Sequence, residues 1–324
     1  MPFYHGLEKS QLEEKVRQLY EIQASCLLCP RKCQTRRNVG ERSTFCKAGL
    51  LPAVASFCDH HGEEPMLSGK KGAGTVFFAG CSLGCVYCQN YEISWQSDIS
   101  PFEISIGELA DKILGLQAKG CHNIEFVSPT HFLPQLVEAL VIAIERGLSV
   151  PIVYNTSGYE EVPTLKVLEG IVDVYLPDTK YWDEGSGKKF SDAPDYSNVT
   201  KLALKEMWRQ VGRLILDDNG VAQKGLVVRH LVLPNSIAGT SQWLRFIYEE
   251  ISPKVFVSLM SQYLPMNKAN GFPEISHSIS SKEYDQAVDA LENSGIEEYV
   301  MQELDSDKHY LPDFKSKGHP FNKA

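Results

Sequence analysis

An α/β fold, built on a parallel sheet that curls into a barrel or partial barrel, is predicted by three observations. Short apolar runs alternate with amphipathic segments in six successive units between residues 75 and 260. Polar residues gather directly after those runs. A thiol-bearing loop, Cys81-Ser-Leu-Gly-Cys85-Val-Tyr-Cys88, opens at Gly80 where the first run ends. In such folds the site lies at the carboxyl ends of the strands, where the βα loops converge. Periodicity alone leaves a doubly wound open sheet as the other arrangement of the same elements.

Residues 7–24 set Leu7, Leu12, Val16, Leu19 and Ile22 among charges, as an amphipathic helix does. A cysteine-rich, turn-rich segment runs to about residue 60, and residues 75–79 form the first strand. Ser105-Ile-Gly-Glu108 has capping-box spacing and starts a helix to Lys119. A strand at 123–127 precedes a helix over 132–146, with Pro134 tolerated in its first turn. Further strands are expected at 150–154 and 171–176, with a short helix at 160–169 between them. Residues 181–197, rich in Asp, Gly and Ser, read as a loop or insertion before a helix at 198–210. The Asn-Gly step at Asn219-Gly220 marks a hairpin turn. Strands at 226–233 and 254–260 flank a helix at 241–250. Ser280-Ser-Lys-Glu283 caps a last helix, and residues 299–302 form a short final strand. The expected division is a helical, cysteine-rich extension at 1–70, a barrel at 71–265 and a C-terminal helix and tail at 266–324.

The composition narrows the function classes. Across 324 residues, 43% hydrophobic and 10% aromatic content supply an ample core. A formal charge of −9 argues against a general nucleic-acid binder. No apolar run approaches the ~18 residues of a membrane span; the best candidate, 136–144, is broken by Glu138. Residues 1–5 lack the charged and apolar regions of a signal peptide. Nine cysteines, clustered rather than spread as pairs, favour metal binding over disulfides. The expectation is a cytoplasmic, oxygen-sensitive protein.

Thiolates are soft ligands that select iron–sulfur clusters, zinc or Cu(I). Three closely spaced sulfurs hold three corners of a cubane and leave the fourth iron open, whereas a closed structural site uses every position. The Cys-x3-Cys-x2-Cys spacing of Cys81, Cys85 and Cys88, with Tyr87 before the last thiol, resembles the signature of the radical S-adenosylmethionine (SAM) superfamily. That resemblance implies a partial (β/α)6 barrel, a [4Fe–4S] cluster and bound SAM. It also implies one-electron cleavage of SAM to methionine and a 5′-deoxyadenosyl radical, which abstracts hydrogen from a substrate.

Further motifs narrow the resemblance to the pyruvate formate-lyase activating enzyme group, and most to its PflX-type branch. They are Cys85-Val-Tyr-Cys88-Gln-Asn90, Tyr154-Asn-Thr-Ser-Gly-Tyr159, Pro177-Asp-Thr-Lys180 and Arg229-His-Leu-Val-Leu-Pro234. By this likeness Asn155, Thr156 and Ser157 approach the ribose or methionyl groups of SAM. Lys180 and Arg229 sit near its carboxylate, and Asp178 holds Lys180 or binds substrate. Where activating enzymes carry Gly-Gly-Glu, this chain has Ser128-Pro-Thr-His131. Thr130 would then serve SAM or cap the next helix, and His131 is a candidate acid–base group. The implied partners are SAM, a glycyl-radical enzyme or other peptide or small-molecule substrate, and flavodoxin or ferredoxin as electron donor. A non-catalytic electron-transfer protein is the rival class.

Upstream, Cys26, Cys29, Cys33 and Cys46 are enough for a second [4Fe–4S] cluster or a tetrahedral zinc. Arg31, Lys32, Arg36 and Arg37 make that stretch basic, fit to dock an acidic partner or to face solvent. Cys58-Asp-His-His61 and Glu63-Glu-Pro65 read as a lid contact or as hydrogen bonds to the barrel. Cys121 reads as a buried apolar residue. Residues 69–75 imitate a phosphate loop but lack the lysine that directly follows its second glycine.

Overall fold

The computed structural model describes residues 1–304, 311–315 and 319–321. Nine strands form one sheet: β1 (Val54–His60), β2 (Ala73–Phe78), β3 (Ile124–Val127), β4 (Ile152–Thr156), β5 (Val174–Thr179), β6 (Ile215–Leu216), β7 (Ala222–Leu231), β8 (Phe256–Met260) and β9 (Glu298–Met301). Their order is β1-β2-β3-β4-β5-β7-β8-β9, with β6 a short hairpin partner of β7. From β2 onward the ladder is parallel, apart from that hairpin. A doubly wound sheet reverses direction at a switch point. Here each parallel strand adds on the same side of the last, so the sheet curls one way into a partial barrel.

The helices are α1 (Lys9–Ala24), α2 (Pro65–Ser68), α3 (Tyr91–Ser94), α4 (Ile106–Ala118), α5 (Leu133–Glu145), α6 (Val162–Val167), α7 (Glu184–Ser191), α8 (Tyr196–Val211), α9 (Thr240–Glu250) and α10 (Ser281–Glu292). The capping boxes expected at Ser105 and Ser280 both form, each serine accepting from the amide three residues on. Two elements depart from the sequence reading. β1 lies inside the cysteine-rich segment and pairs antiparallel with β2. It covers that sheet edge, and the expected boundary at residue 70 therefore falls between two paired strands. One core runs from Tyr4 to Ile296. The expected loop at 181–197 contains α7, whose two glycines weaken it as a helix. Asp183 caps it at Ser186, and Phe190 buries its apolar side.

The short α2 positions the site. Met66 and Leu67 pack among Val153, Val174, Ala222 and Val227, at the amino ends of the strands. Asn123 Nδ2 donates to the Leu67 carbonyl at 2.9 Å. This plug closes one end of the barrel, and its N-terminal flank lifts Glu63 and Glu64 to the floor of the interior. Near the open edge, Phe321 stacks on His60 at 3.8 Å and Phe314 meets Phe77 edge-on at 5.3 Å.

Candidate active site

β2 ends at Phe78, and Gly80 turns the chain at φ +79°. A Cβ there would collide with the Cys46 carbonyl, so glycine is required by both conformation and space. The loop that follows carries Cys81, Cys85 and Cys88. The Leu83 amide donates to Cys81 Sγ at 3.4 Å, and Cys88 Sγ lies 3.2 Å from Ser94 Oγ. Trp95 Nε1 donates to the Cys85 carbonyl at 3.1 Å, pinning the middle of the loop. Burial pushes the Cys81 thiol up and Cys88 to about 12, while neighbouring amides and Ser94 oppose it. Coordination to a metal deprotonates such thiols outright. Tyr87 backs the loop, edge-on to Tyr263 at 5.5 Å.

All three thiols line a cavity of about 520 Å³. Its other walls come from the strand ends and the loops after them. Asn155, Thr156 and Ser157 line it, as do Asp178, Lys180 and Arg229. Lys180 Nζ donates to Asp178 Oδ2 at 2.8 Å, and Arg229 Nε to Asp178 Oδ1 at 2.8 Å. Arg229 also donates to Asn155 Oδ1 at 2.6 Å. Burial alone would raise the Asp178 carboxyl, but Arg229 and Lys180 hold it below its ordinary value. Gly158, at φ +78°, brings the β4 loop against the Asp178 carbonyl too closely for any Cβ. Tyr196 Oη bridges the Ser157 and Asp178 carbonyls at 2.7 and 3.0 Å and accepts from the Lys180 amide at 3.1 Å. This buried tyrosine carried no sequence signal, because its contacts are made across two strands.

Thr130 and His131 lie elsewhere and do not line this cavity. Thr130 Oγ1 donates to Glu160 Oε1 at 2.6 Å and does not cap α5. Glu160 is buried, also receives Thr156 Oγ1, and burial raises it to about 7. His131 is 1% exposed, with Nε2 2.8 Å from the Ala79 carbonyl.

His131 instead lines a small second cavity of about 10 Å³ with Cys26, Cys29, Cys33 and Cys46. The four thiols thus converge directly behind the Cys81 loop. Buried Arg37 donates to Cys26 Sγ at 3.3 Å, to Cys46 Sγ at 3.7 Å and to the His131 carbonyl. Arg31 grips the carbonyls of Ser82 and Leu83 at 3.0 and 2.9 Å, and of Ser191 at 2.6 Å. Lys32 pairs with Glu161 and Arg36 with Glu41. Arg31 and Arg37 are therefore spent on internal contacts, whereas Lys32 and Arg36 stay exposed beside their carboxylates.

Three further groups were missed as site residues. Glu63 and Glu64 line the cavity floor, and Glu125 on β3 sits against them and Asn155, whose Nδ2 donates to Glu125 Oε1 at 2.6 Å. The signal was available at Glu125: an acid within the apolar run Ile124–Val127, at an inward-facing alternate position.

A three-thiolate cubane with one open iron fits these residues. The donors are soft, they share one wall, and the cavity beside them falls in the range of small-molecule sites. Among the described residues, no helix is long and apolar enough to cross a membrane. A family model described as Radical SAM superfamily matches residues 75–184. The uncharacterized protein MJ0674 of Methanocaldococcus jannaschii is 30% identical over 294 residues, covering 88% of this chain and 80% of that protein. Two solved structures resemble the chain at a TM-score of 0.47. A radical SAM methyltransferase from Sphaerobacter thermophilus is 14% identical, covering 70% of this chain and 66% of that one. A methylornithine synthase is 15% identical, covering 80% and 77%. Neither bears on the reaction. The thiol loop at the mouth of the barrel and the matched family model lead to one conclusion: residues 75–184 carry the sequence pattern of the radical SAM superfamily.

Proposed function

We propose that the protein is a hydrogen-abstracting radical SAM enzyme acting on a compact substrate inside the barrel. The observation that carries this reading is the shared cavity, with Cys81, Cys85 and Cys88 on one wall and Asp178, Lys180 and Arg229 on another. A [4Fe–4S] cluster on the three thiols would supply the electron that splits SAM into methionine and a 5′-deoxyadenosyl radical. Lys180 and Arg229 would hold the SAM carboxylate by charge-assisted hydrogen bonds, with Asp178 fixing both cations. Asn155, Thr156 and Ser157 would position the ribose.

A cavity of about 520 Å³ that also holds SAM supports a small metabolite or one residue of a peptide as substrate. A protein glycine, as in the activating-enzyme group, would have to enter the same cavity on an extended loop. On this reading the protein works in the cytoplasm and takes its electron from flavodoxin or ferredoxin. Anaerobically reconstituted protein given dithionite and SAM is expected to release 5′-deoxyadenosine and methionine in equal amounts. A reduced cluster that leaves SAM intact would sink the proposal. A lasting glycyl-radical doublet on an added glycyl-radical enzyme would favour the activase instead.

The four N-terminal thiols would hold a second metal centre, an auxiliary cluster or a zinc. Protein with Cys81, Cys85 and Cys88 all changed to Ala is expected to retain metal, and to lose it when Cys26, Cys29, Cys33 and Cys46 are changed as well. About four irons would mark a cluster, and about one zinc a tetrahedral site. Elemental analysis finding neither removes the second centre.

A further inference from the structure

Among the described residues, four carboxyls meet two cations at the bottom of the cavity. Asp178 takes Lys180 and the Nε of Arg229. Among the described residues, the cationic contact left for Glu63, Glu64 and Glu125 is Arg229 Nη1, 3.5 Å from Glu63 Oε2, beside the Asn155 amide on Glu125 Oε1 at 2.6 Å. His60 lies 3.7 Å from Glu63, but burial lowers it to about 4 and leaves it neutral. Glu64 is 9% exposed and Glu125 is fully buried; Oε2 of each lacks a hydrogen-bond partner among the described residues. Buried acids with an unpartnered oxygen are costly, and a chain that folds a plug to bring two acids beside a third must gain something there.

Glu63 and Glu64 line the same cavity as the three thiols.

We propose that Glu63 and Glu64, backed by Glu125, recognise an organic cation, an ammonium or guanidinium group carried by the substrate. The positively charged end sits on the floor against the carboxylates, and the rest of the molecule extends up the barrel towards Cys81, Cys85 and Cys88. A cation with several N–H donors is the ligand that satisfies several separated oxygens at once. Without it, burial and mutual repulsion hold the three acids above their ordinary values, Glu64 at about 7, and the cation would draw them into the charged state.

The cation site stands on its own contacts; only the direction of the substrate's other end rests on the radical SAM reading. The test uses reconstituted protein with SAM present and four probes in calorimetry: n-butylammonium, n-butylguanidinium, 1-butanol and butanoate. The two cations are expected to bind measurably and the other two not. Glu63→Gln and Glu64→Gln are each expected to weaken the better cation about tenfold, the value of one charge-assisted contact. Glu64→Asp, which keeps the charge, should retain cation selectivity. Melting curves of every variant confirm folding. Butanol binding as tightly as butylammonium, or unchanged cation affinity in both Gln variants, overturns the proposal. So does SAM affinity falling in step with the probe, which would assign the acids to SAM. Wild-type release of 5′-deoxyadenosine is followed in parallel, and its absence would count against the radical SAM reading alone.

Discussion

Replacing Cys85 alone with alanine is expected to stop reductive SAM cleavage, lowering 5′-deoxyadenosine formation by roughly a thousandfold or more. Groups that act as a unit lose nearly everything with the first member removed, so the triple variant should be little worse than the single one. Three thiolates are the minimum that leaves one iron open, and two do not fix a cubane in place. The loop offers no substitute donor: Cys81 and Cys88 already use the other two corners, and the Ser94 hydroxyl beside Cys88 is a harder ligand. Electron paramagnetic resonance on reduced protein should show a [4Fe–4S]⁺ signal that shifts with SAM in the wild type and disappears in Cys85→Ala. Cys121→Ala is the control, since Cys121 is buried in the apolar core at the start of the β3 unit. Substantial cleavage by Cys85→Ala would remove the assignment of this loop.

The parallel strands were legible because each is a short apolar run bounded by turns, and the chain repeats that unit in order. β1 was not, because Val54-Ala-Ser-Phe-Cys-Asp-His60 is partly exposed and weakly patterned, as a strand on a sheet edge is free to be. α7 was hidden by Gly185 and Gly187, which tertiary packing overrides; Gly187 has no room for a Cβ beside the Ala193 carbonyl. The three thiols that line the cavity stood out by their spacing. The acids did not. Glu63 and Glu64 read as a lid contact or as hydrogen bonds to the barrel until α2 is seen to plug it, and Glu160 gains its role only through Thr130, Thr156 and Tyr154. Arg31 and Arg37 likewise read as a docking patch because a sequence does not show which carbonyls a guanidinium will find.

Asp178→Asn should lower stability by about 3–5 kcal/mol at neutral pH, the usual cost of removing one partner from a buried ion pair. The carboxylate lies between Lys180 and Arg229, each 2.8 Å away and each largely buried with it. An amide keeps the shape but cannot offset two cations. The pH dependence separates this from a packing defect. Because Asp178 is held below its ordinary value, its contribution is complete above the unfolded carboxyl value of about 3.9 and is lost as pH falls through the lower folded one. Glu64 and Glu160 act in the opposite sense. Both are raised to about 7, so wild type and variant alike should lose stability as pH rises from about 4.5 through 7. The gap between the two proteins should therefore stay constant from pH 5 to 7 and close only below about 4. Denaturant midpoints taken across that range read it directly. A gap that persists in acid would mean that Asp178 contributes shape rather than charge, and would leave Lys180 and Arg229 without the anchor that this reading of the SAM site requires.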